Sequence, residues 1–215
     1  MEEKLRIRID LKILIFLFLF YLTNQMEIYL TIMFFCIIHE LGHIIMGLLL
    51  KLKPEKLEIM PCGLAICFKA NSGESKLEIK NILIALAGPL ISLTLAIVYT
   101  YIDIQPVYIT KENIVYSNIL ILLFNLMPLY PLDGGRIIKG ILHIKFGEDE
   151  SLEIINKISN VTMIAITIIS SIAVYYFKNI AIFLICLFLW IITLKENEKL
   201  RMEKNIKTLA ILDRK

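Results

Sequence analysis

The feature that most restricts the fold of this 215-residue chain is a series of apolar segments, several of them long enough to cross a lipid bilayer. The hydrocarbon core of a bilayer is about 30 Å thick, which about 20 helical residues span. Apolar side chains make up 58% of the chain and occur in long blocks, whereas soluble domains are closer to half apolar. The sequence therefore predicts an all-α polytopic membrane protein.

We predict about six transmembrane helices, over residues 13–22, 28–50, 81–102, 114–142, 161–177 and 180–194. The first segment is short and follows a basic stretch, a pattern also typical of a signal peptide. Because Thr23-Asn24-Gln25 offers no small-residue cleavage site, we interpret it as a retained helix. Residues 1–194 are then one six-span domain, and residues 195–215 form a short charged cytoplasmic tail.

Between the second and third helices the chain has a different character. The stretch from Leu57 to Phe68 is apolar but too short to span a bilayer, and Pro61 and Gly63 interrupt it. Such punctuation favours two short strands around a turn. We predict a membrane-associated β-hairpin-like region, and an ordinary surface hairpin is the alternative.

Two later spans contain helix-breaking residues. Gly88-Pro89 in the third span predicts either a kink or the close approach of a neighbouring helix. The fourth span is broken between Asn125 and Arg136 by two prolines and two glycines. Freed backbone groups are tolerated at membrane depth only where protein or water satisfies them. A polar loop is predicted over residues 145–157, with His143 as a loop histidine beside it.

The basic residues indicate the orientation of the chain. With six spans, both termini and the segments 51–80 and 136–157 lie on one side, and these hold 21 of the 23 lysines and arginines. Only Lys111 and Lys178 fall on the other side. Because short cytoplasmic segments are enriched in basic residues, both termini are predicted to be cytoplasmic. The small net charge of +3 gives no indication of nucleic-acid binding.

The second span carries the sequence His39-Glu40-Leu41-Gly42-His43. Histidines four residues apart lie on one face of a helix and can bind one metal ion, with the intervening glutamate acting on a bound water. Ionisable groups within an apolar span are costly and indicate a functional site. In a soluble helix the same motif is readily explained as two surface histidines with no metal-binding role, but that explanation fits an apolar span poorly. Cys36, one turn earlier, is either an extra ligand or a small buried apolar residue.

Asp133 is the buried acid available as a third ligand, because a catalytic zinc typically has three protein ligands and one open position. Both motifs lie about 10–17 Å from the cytoplasmic end of their spans. Asp133 is alternatively a turn aspartate before two glycines. Glu40 is placed to take a proton from a zinc-bound water as that water attacks a peptide carbonyl. The attack of water on a carbonyl forms a negatively charged oxygen, the oxyanion. Asn125 either donates a hydrogen bond to this oxyanion or caps backbone carbonyls that are freed at the break in the fourth span.

Together the paired motifs, His39-Glu40-x-x-His43 and Asn125-x-x-Pro128-x-x-Pro131-Leu132-Asp133-Gly134, resemble those of the site-2 protease family of intramembrane zinc metalloproteases. The short form of the chain resembles the branch that contains the stage IV sporulation protease. The resemblance covers about residues 28–140. It implies one zinc ion per chain held by His39, His43 and Asp133, with Glu40 as the catalytic base and Asn125 assisting the substrate or the oxyanion.

The resemblance also implies a biological setting. The substrate would be a membrane-tethered regulatory protein, with a sigma-factor precursor in sporulation as one candidate, and inhibitory membrane proteins would be further partners. The Leu57–Phe68 stretch would hold an extended substrate by strand pairing. A charged tail of about twenty residues follows the last span, where the sporulation branch often has a nucleotide-binding domain. We therefore expect no nucleotide sensing of that kind.

Two alternatives to a protease remain open at this point. A membrane metal-ion permease would use Glu40 as a ligand and would need a polar path to the far side. The candidate acids Glu27, Asp103 and Glu112 lie at or beyond the ends of the spans, which argues against such a path. A catalytically inactive metal-binding scaffold is the other alternative, and the presence of Glu40 makes it the less economical one.

Overall fold

The computed structural model describes residues 6–9, 17–18, 21, 26–52, 54–60, 63–68, 77–102, 109–177, 186–187, 189–195, 198 and 202. The chain forms two compact units, Met1–Leu126 and Met127–Lys215. The first contains β1 (Arg6–Ile9), α1 (Met26–Leu49), β2 (Pro54–Met60), β3 (Gly63–Phe68), α2 (Leu77–Tyr101) and α3 (Lys111–Asn125). The second contains α4 (Asp133–Phe146) and α5 (Glu148–Phe177). The described part of the chain is mostly helical, as the sequence predicts.

Helices α1, α2 and α3 pack against one another in the first unit. An apolar cluster of Phe35, Cys36, Ile114 and Ile121 lies between α1 and α3. The outward faces of these helices are also apolar, and on α1 they carry Leu30, Phe34, Ile37, Leu41, Ile45 and Leu48. An exposed apolar surface of this extent is not expected on a soluble monomer, and it fits a helix that faces lipid.

The end of α1 is set by local backbone bonds. Lys51 adopts a left-handed conformation with φ 59°. Its N–H donates to the carbonyl of Leu48 at 2.9 Å, and the N–H of Leu52 donates to the carbonyl of Gly47 at 2.9 Å. This pair of bonds is the Schellman termination, which satisfies the last helical carbonyls. The chain then enters β2 directly at Pro54.

The three strands form one sheet in the order β1-β2-β3. β2 and β3 are antiparallel, with Glu58 opposite Ala65, in the interval where the sequence predicts two short strands around a turn. β1 runs parallel to β2 and was not predicted, although the alternation Arg6-Ile7-Arg8-Ile9 is a strand pattern. β3 lies next to α1, which places the sheet beside the helix that carries the two histidines.

Three described helices are long and apolar enough to cross a membrane, namely α1, α2 and α5 from Glu148 to Tyr176. They correspond to the second, third and fifth predicted spans. The fourth predicted span is divided into α3 and α4, which flank the predicted break. Most of the first predicted span, nearly half of the sixth and nearly all of the tail lie outside the described residues. Six spans, one domain and a cytoplasmic tail therefore stay predictions.

The predicted polar loop over residues 145–157 is wrong. α4 continues to Phe146, and Gly147, with φ 86°, is the single residue before α5 begins at Glu148. The acidic cluster Glu148-Asp149-Glu150 forms the first turn of α5, where the positive end of the helix dipole stabilises negative charge. His143 correspondingly lies in the last turn of α4 and not in a loop.

Candidate metal centre

His39 and His43 are adjacent on the inner face of α1. Their exposed fractions are 1% and 3%, and their ring centroids lie 5.0 Å apart with an interplanar angle of 78°. A helix brings residues four positions apart onto one face, so the spacing in the sequence is realised as a pair of neighbouring imidazoles. Both rings are inside the helix packing, away from the lipid-facing surface.

Each histidine makes a hydrogen bond through Nδ1 to α2. His39 Nδ1 lies 2.9 Å from the hydroxyl of Ser92, and His43 Nδ1 lies 2.6 Å from the backbone carbonyl of Ile84. A carbonyl can only accept, so His43 Nδ1 carries a proton in this bond, and in the neutral ring Nε2 keeps its lone pair. These contacts fix the orientation of both rings.

The two Nε2 atoms converge on Gly88 of α2. A Cβ built on Gly88 would lie 2.5 Å from His39 Nε2 and closer still to His43 Nε2. Only the missing side chain keeps this space open. Zinc binds imidazole nitrogen at about 2.0–2.1 Å, so two buried nitrogens that face one small space are a donor set suited to this ion. The residues present therefore fit the metal that the sequence predicts.

Glu40 belongs to the same group of potential metal-binding side chains. His39, Glu40 and His43 each offer a ligand atom, and these atoms lie within 4.8 Å of one another. The carboxylate is half-buried, whereas the histidines are fully buried. The distance of at most 4.8 Å between the Glu40 carboxylate and the histidine nitrogens is compatible with a carboxylate that contacts water at the metal. It is also short enough for Glu40 to bind the metal directly.

Cys36 does not join this group. Its side chain belongs to the apolar cluster with Phe35, Ile114 and Ile121, and the metal-binding group found among the described residues contains His39, Glu40 and His43. Of the two predicted roles, the small buried apolar residue is the one that the packing supports.

Asp133 lies in the second unit, at the first position of α4. It is buried, with a 5% exposed fraction, and its carboxylate lies 3.7 Å from the guanidinium of Arg136, one turn later. Gly135 explains the glycines that follow, because a Cβ there would lie 2.5 Å from the backbone of Leu129 and Tyr130. The structure thus brings His39, Glu40 and His43 together in the first unit, and a ligand role for Asp133 stays a prediction.

The backbone that precedes Asp133 is held by side chains of α5. The buried hydroxyl of Ser159 accepts a hydrogen bond from the N–H of Tyr130 at 3.0 Å. The hydroxyl of Thr162 donates to the carbonyl of Ile158 in its own helix at 2.9 Å and also lies 3.2 Å from the carbonyl of Pro128. Prolines remove donors from this segment, so α5 satisfies backbone groups that a helix would have satisfied internally.

We expect Ser159→Ala to lower the free energy of unfolding by about 1–3 kcal/mol, because the Tyr130 N–H loses its acceptor. Ser171→Ala is the matched control, since Ser171 is exposed on the same helix and its hydroxyl donates to the Thr167 carbonyl. Denaturant unfolding in detergent micelles, followed by circular dichroism, measures both variants. Equal losses of unfolding free energy in the two variants would show that the hydrogen bond between Ser159 and Tyr130 stabilises the protein no more than that of an exposed serine.

Asn125 is the last residue of α3. Its side-chain N–H donates to the carbonyl of Ile121 at 3.1 Å, one turn back in the same helix. The Ile121 carbonyl lies within the hydrogen-bonded part of α3, so this contact is not the predicted capping of carbonyls freed at the break, and that role stays a prediction. The oxyanion role itself stays a prediction.

Sequence reasoning missed the contribution of α2 to the site. It noted Gly88-Pro89 as a kink or a close approach. α2 runs without interruption from Leu77 to Tyr101. The close approach of a neighbouring helix is observed at Gly88, and a kink at Pro89 stays a prediction. Ser92, a hydroxyl in an apolar span four residues after Gly88, was the available signal for a polar partner of His39.

Comparison with known proteins gives a consistent picture. Residues 103–169 match the model of peptidase family M50. The chain is 29% identical over 187 residues to a zinc metalloprotease of Methanocaldococcus jannaschii, covering 82% of this chain and 52% of that protein. It is 26% identical over 119 residues to stage IV sporulation protein FB of Bacillus subtilis, covering 54% of this chain and 41% of the relative. The chain spans about half the length of these relatives.

The fold has also been observed in a solved structure. The site-2 protease from Methanocaldococcus jannaschii superposes with a TM-score of 0.67 at 24% sequence identity, covering 89% of this chain and 90% of the other. At this identity the similarity establishes the shared fold.

Proposed function

Because the chain belongs to the site-2 protease family, peptidase family M50, we propose that it is an intramembrane zinc metalloendopeptidase. Its substrate is a membrane-tethered regulatory protein, cleaved in or near a transmembrane segment. The observation that carries the proposal is the convergence of two buried histidine Nε2 atoms over Gly88, beside Glu40, within an apolar helix. An integral membrane location is supported by three apolar helices of spanning length.

The proposed zinc site consists of His39, His43 and Asp133, with one zinc ion per chain. When bound, zinc supplies Lewis acidity that polarises a carbonyl and acidifies water at the site. Glu40 accepts a proton from water as the water oxygen bonds to the peptide carbonyl carbon. Glu40 then gives that proton to the amide nitrogen, the C–N bond breaks, and the products are a carboxylic acid and an amine.

We propose that two further elements handle the substrate. Asn125 turns its amide toward the developing oxyanion when substrate is present. β3 holds the unwound segment by strand addition, since among the described strands it pairs with β2 along one edge and lies next to α1. An extended peptide is needed because helical hydrogen bonds shield the carbonyl from attack, and edge pairing provides that conformation.

The proposed topology places both termini in the cytoplasm. This orientation is supported by the 21 of 23 lysines and arginines that fall on the side of the termini in the six-span arrangement. Cleavage then occurs near the cytoplasmic side and releases the soluble part of the substrate. A sigma-factor precursor is one candidate, suggested by the sporulation relative, and inhibitory membrane proteins are further candidate partners.

Replacing Asp133 with asparagine tests the ligand set. If the carboxylate is the third ligand, we expect the zinc affinity of the purified protein to fall by more than about 10–100-fold, the usual cost of losing only an outer-shell partner. Competition with a chromophoric chelator in detergent measures this affinity without a known substrate. The experiment needs folded protein, which circular dichroism checks.

Arg136→Gln is the matched control. It removes the cation 3.7 Å from the carboxylate and leaves the carboxylate in place, so zinc affinity should change little. If Asp133→Asn binds zinc as the wild type does, Asp133 is not a ligand. If Arg136→Gln loses as much zinc as Asp133→Asn, the ion pair and not ligation explains the effect.

A metal permease is the second candidate, and one observation favours it. The carboxylate of Glu40 lies within 4.8 Å of the histidine ligand atoms, close enough to ligate directly. In that case Glu40→Gln would release zinc, whereas a catalytic base can be neutralised without loss of the metal. Zinc analysis of this variant separates the two functions.

A further inference from the structure

α2 meets the two histidines with one stripe of residues. Ile84, Gly88 and Ser92 are spaced four apart, so they lie on one face of the helix. Each of the three makes a different contact with His39 and His43, which are likewise spaced four residues apart, on α1. The Ile84 carbonyl contacts His43 Nδ1, the Ser92 hydroxyl contacts His39 Nδ1, and Gly88 faces both Nε2 atoms.

We propose that this stripe, outside the predicted ligand set, is the orienting surface of the metal site, and that Ser92 is the positioning residue of His39. The inference rests on the proposed zinc site. Ser92 accepts the Nδ1 proton of His39, which leaves the Nε2 lone pair directed at the space over Gly88. Removal of the Ser92 hydroxyl takes away the contact at Nδ1 that favours this tautomer and this ring plane of His39.

Burial makes the hydroxyl contact effective. Ser92 has an exposed fraction of 0% and His39 of 1%, so water does not readily replace the lost partner. Within an apolar interior a ring nitrogen depends on a protein partner. Metal-binding histidines generally donate their second N–H to such a partner, which fixes both the tautomer and the ring plane. Ser92 is the side chain in contact with His39 Nδ1.

The experiment measures zinc affinity and the visible spectrum of the cobalt-substituted protein for the wild type, Ser92→Ala, Ser92→Thr and Thr94→Ala in detergent. We expect Ser92→Ala to lower zinc affinity by about 10–100-fold and to shift the cobalt absorption bands, because the His39 ring is no longer held. Ser92→Thr keeps the hydroxyl and should recover most of the affinity.

Thr94→Ala is the matched control. Thr94 lies on the exposed face of α2, and its hydroxyl donates to the Leu90 carbonyl at 2.7 Å, so its removal should change neither measurement. The proposal is overturned if Ser92→Ala keeps wild-type affinity and spectrum, or if Thr94→Ala loses as much as Ser92→Ala. If Ser92→Thr does not fold, the comparison of zinc affinity and cobalt spectrum between Ser92→Ala and Thr94→Ala still tests the proposal.

The same experiment separates this inference from the proposed function. If the wild-type protein does not bind zinc, the proposed zinc site is wrong, and the proposed orienting role of Ser92 is wrong as well. A wild type that binds zinc, with Ser92→Ala unchanged, leaves the protease proposal intact and overturns only the role of Ser92.

Discussion

Glu40→Gln is expected to abolish peptide-bond cleavage while the purified protein keeps its zinc. The substitution preserves the size and hydrogen-bonding shape of the side chain and removes its ability to accept a proton from water. Positioned acid–base groups contribute about 10²–10⁴-fold to rate, and Glu40 is proposed to serve in both proton transfers. We therefore expect cleavage to fall by at least the upper part of that range.

Two assays on the same preparation measure this result. Metal analysis gives the zinc content, and gel electrophoresis follows cleavage of reporter proteins, each with one transmembrane helix between two soluble domains, in reconstituted vesicles. Glu78→Gln is the control, since Glu78 is an acid in the first turn of α2 and its loss should leave cleavage unchanged. The wild type must cleave at least one reporter for the comparison to be made.

The outcomes distinguish the candidate functions. Zinc retained with cleavage lost supports Glu40 as the base. Zinc lost in Glu40→Gln makes Glu40 a ligand and favours the permease. A Glu40→Gln variant that still cleaves at the wild-type rate would falsify the assignment of the base, and zinc uptake by wild-type vesicles would favour transport.

Gly88→Ala is expected to remove zinc from the site. The added methyl group would lie 2.5 Å from His39 Nε2 and closer still to His43 Nε2, within the space proposed for the metal. Either the methyl occupies that space or α2 shifts away and the Nδ1 contacts to Ser92 and Ile84 are lost. Both consequences oppose binding, so we expect an affinity loss beyond the roughly 10–100-fold of an outer-shell change.

Gly42→Ala is the matched control for crowding between the same two helices. Its Cβ would lie 2.6 Å from the flexible end of Ile91 and 3.0 Å from the carbonyl of Ala87, away from the Nε2 atoms. We expect this variant to unfold more easily and yet to bind zinc when folded. Chelator competition on the folded fraction compares the two. Equal zinc losses in both variants would attribute the effect to helix separation and not to the space over Gly88.

The two compact units make different contributions to the proposed chemistry. The first holds the paired histidines and Glu40 on α1, which packs against α2. The second holds Asp133 at the start of a helix whose preceding segment contacts Ser159 through the N–H of Tyr130.

Some expectations from the sequence failed for identifiable reasons. The segment 145–157 was predicted as a loop because its residues are polar, but the same acidic residues stabilise a helix N-terminus, and Gly147 alone makes the turn before α5. β1 was missed because its four residues stand within a charged stretch, where pairing with β2 provides the stabilisation that local propensity does not.

The amino-acid sequence by itself determined the membrane-type helices, the placement of His39, Glu40 and His43 on one helix, and the break before Asp133. These features follow from local rules: apolar length, the 3.6-residue period of the helix, and the backbone chemistry of proline and glycine. Only the tertiary structure decided which groups surround the histidines. Ser92 and Ile84 are 53 and 41 residues away from their partners along the chain, and the open space over Gly88 exists because helix packing brings a missing side chain against two ring nitrogens.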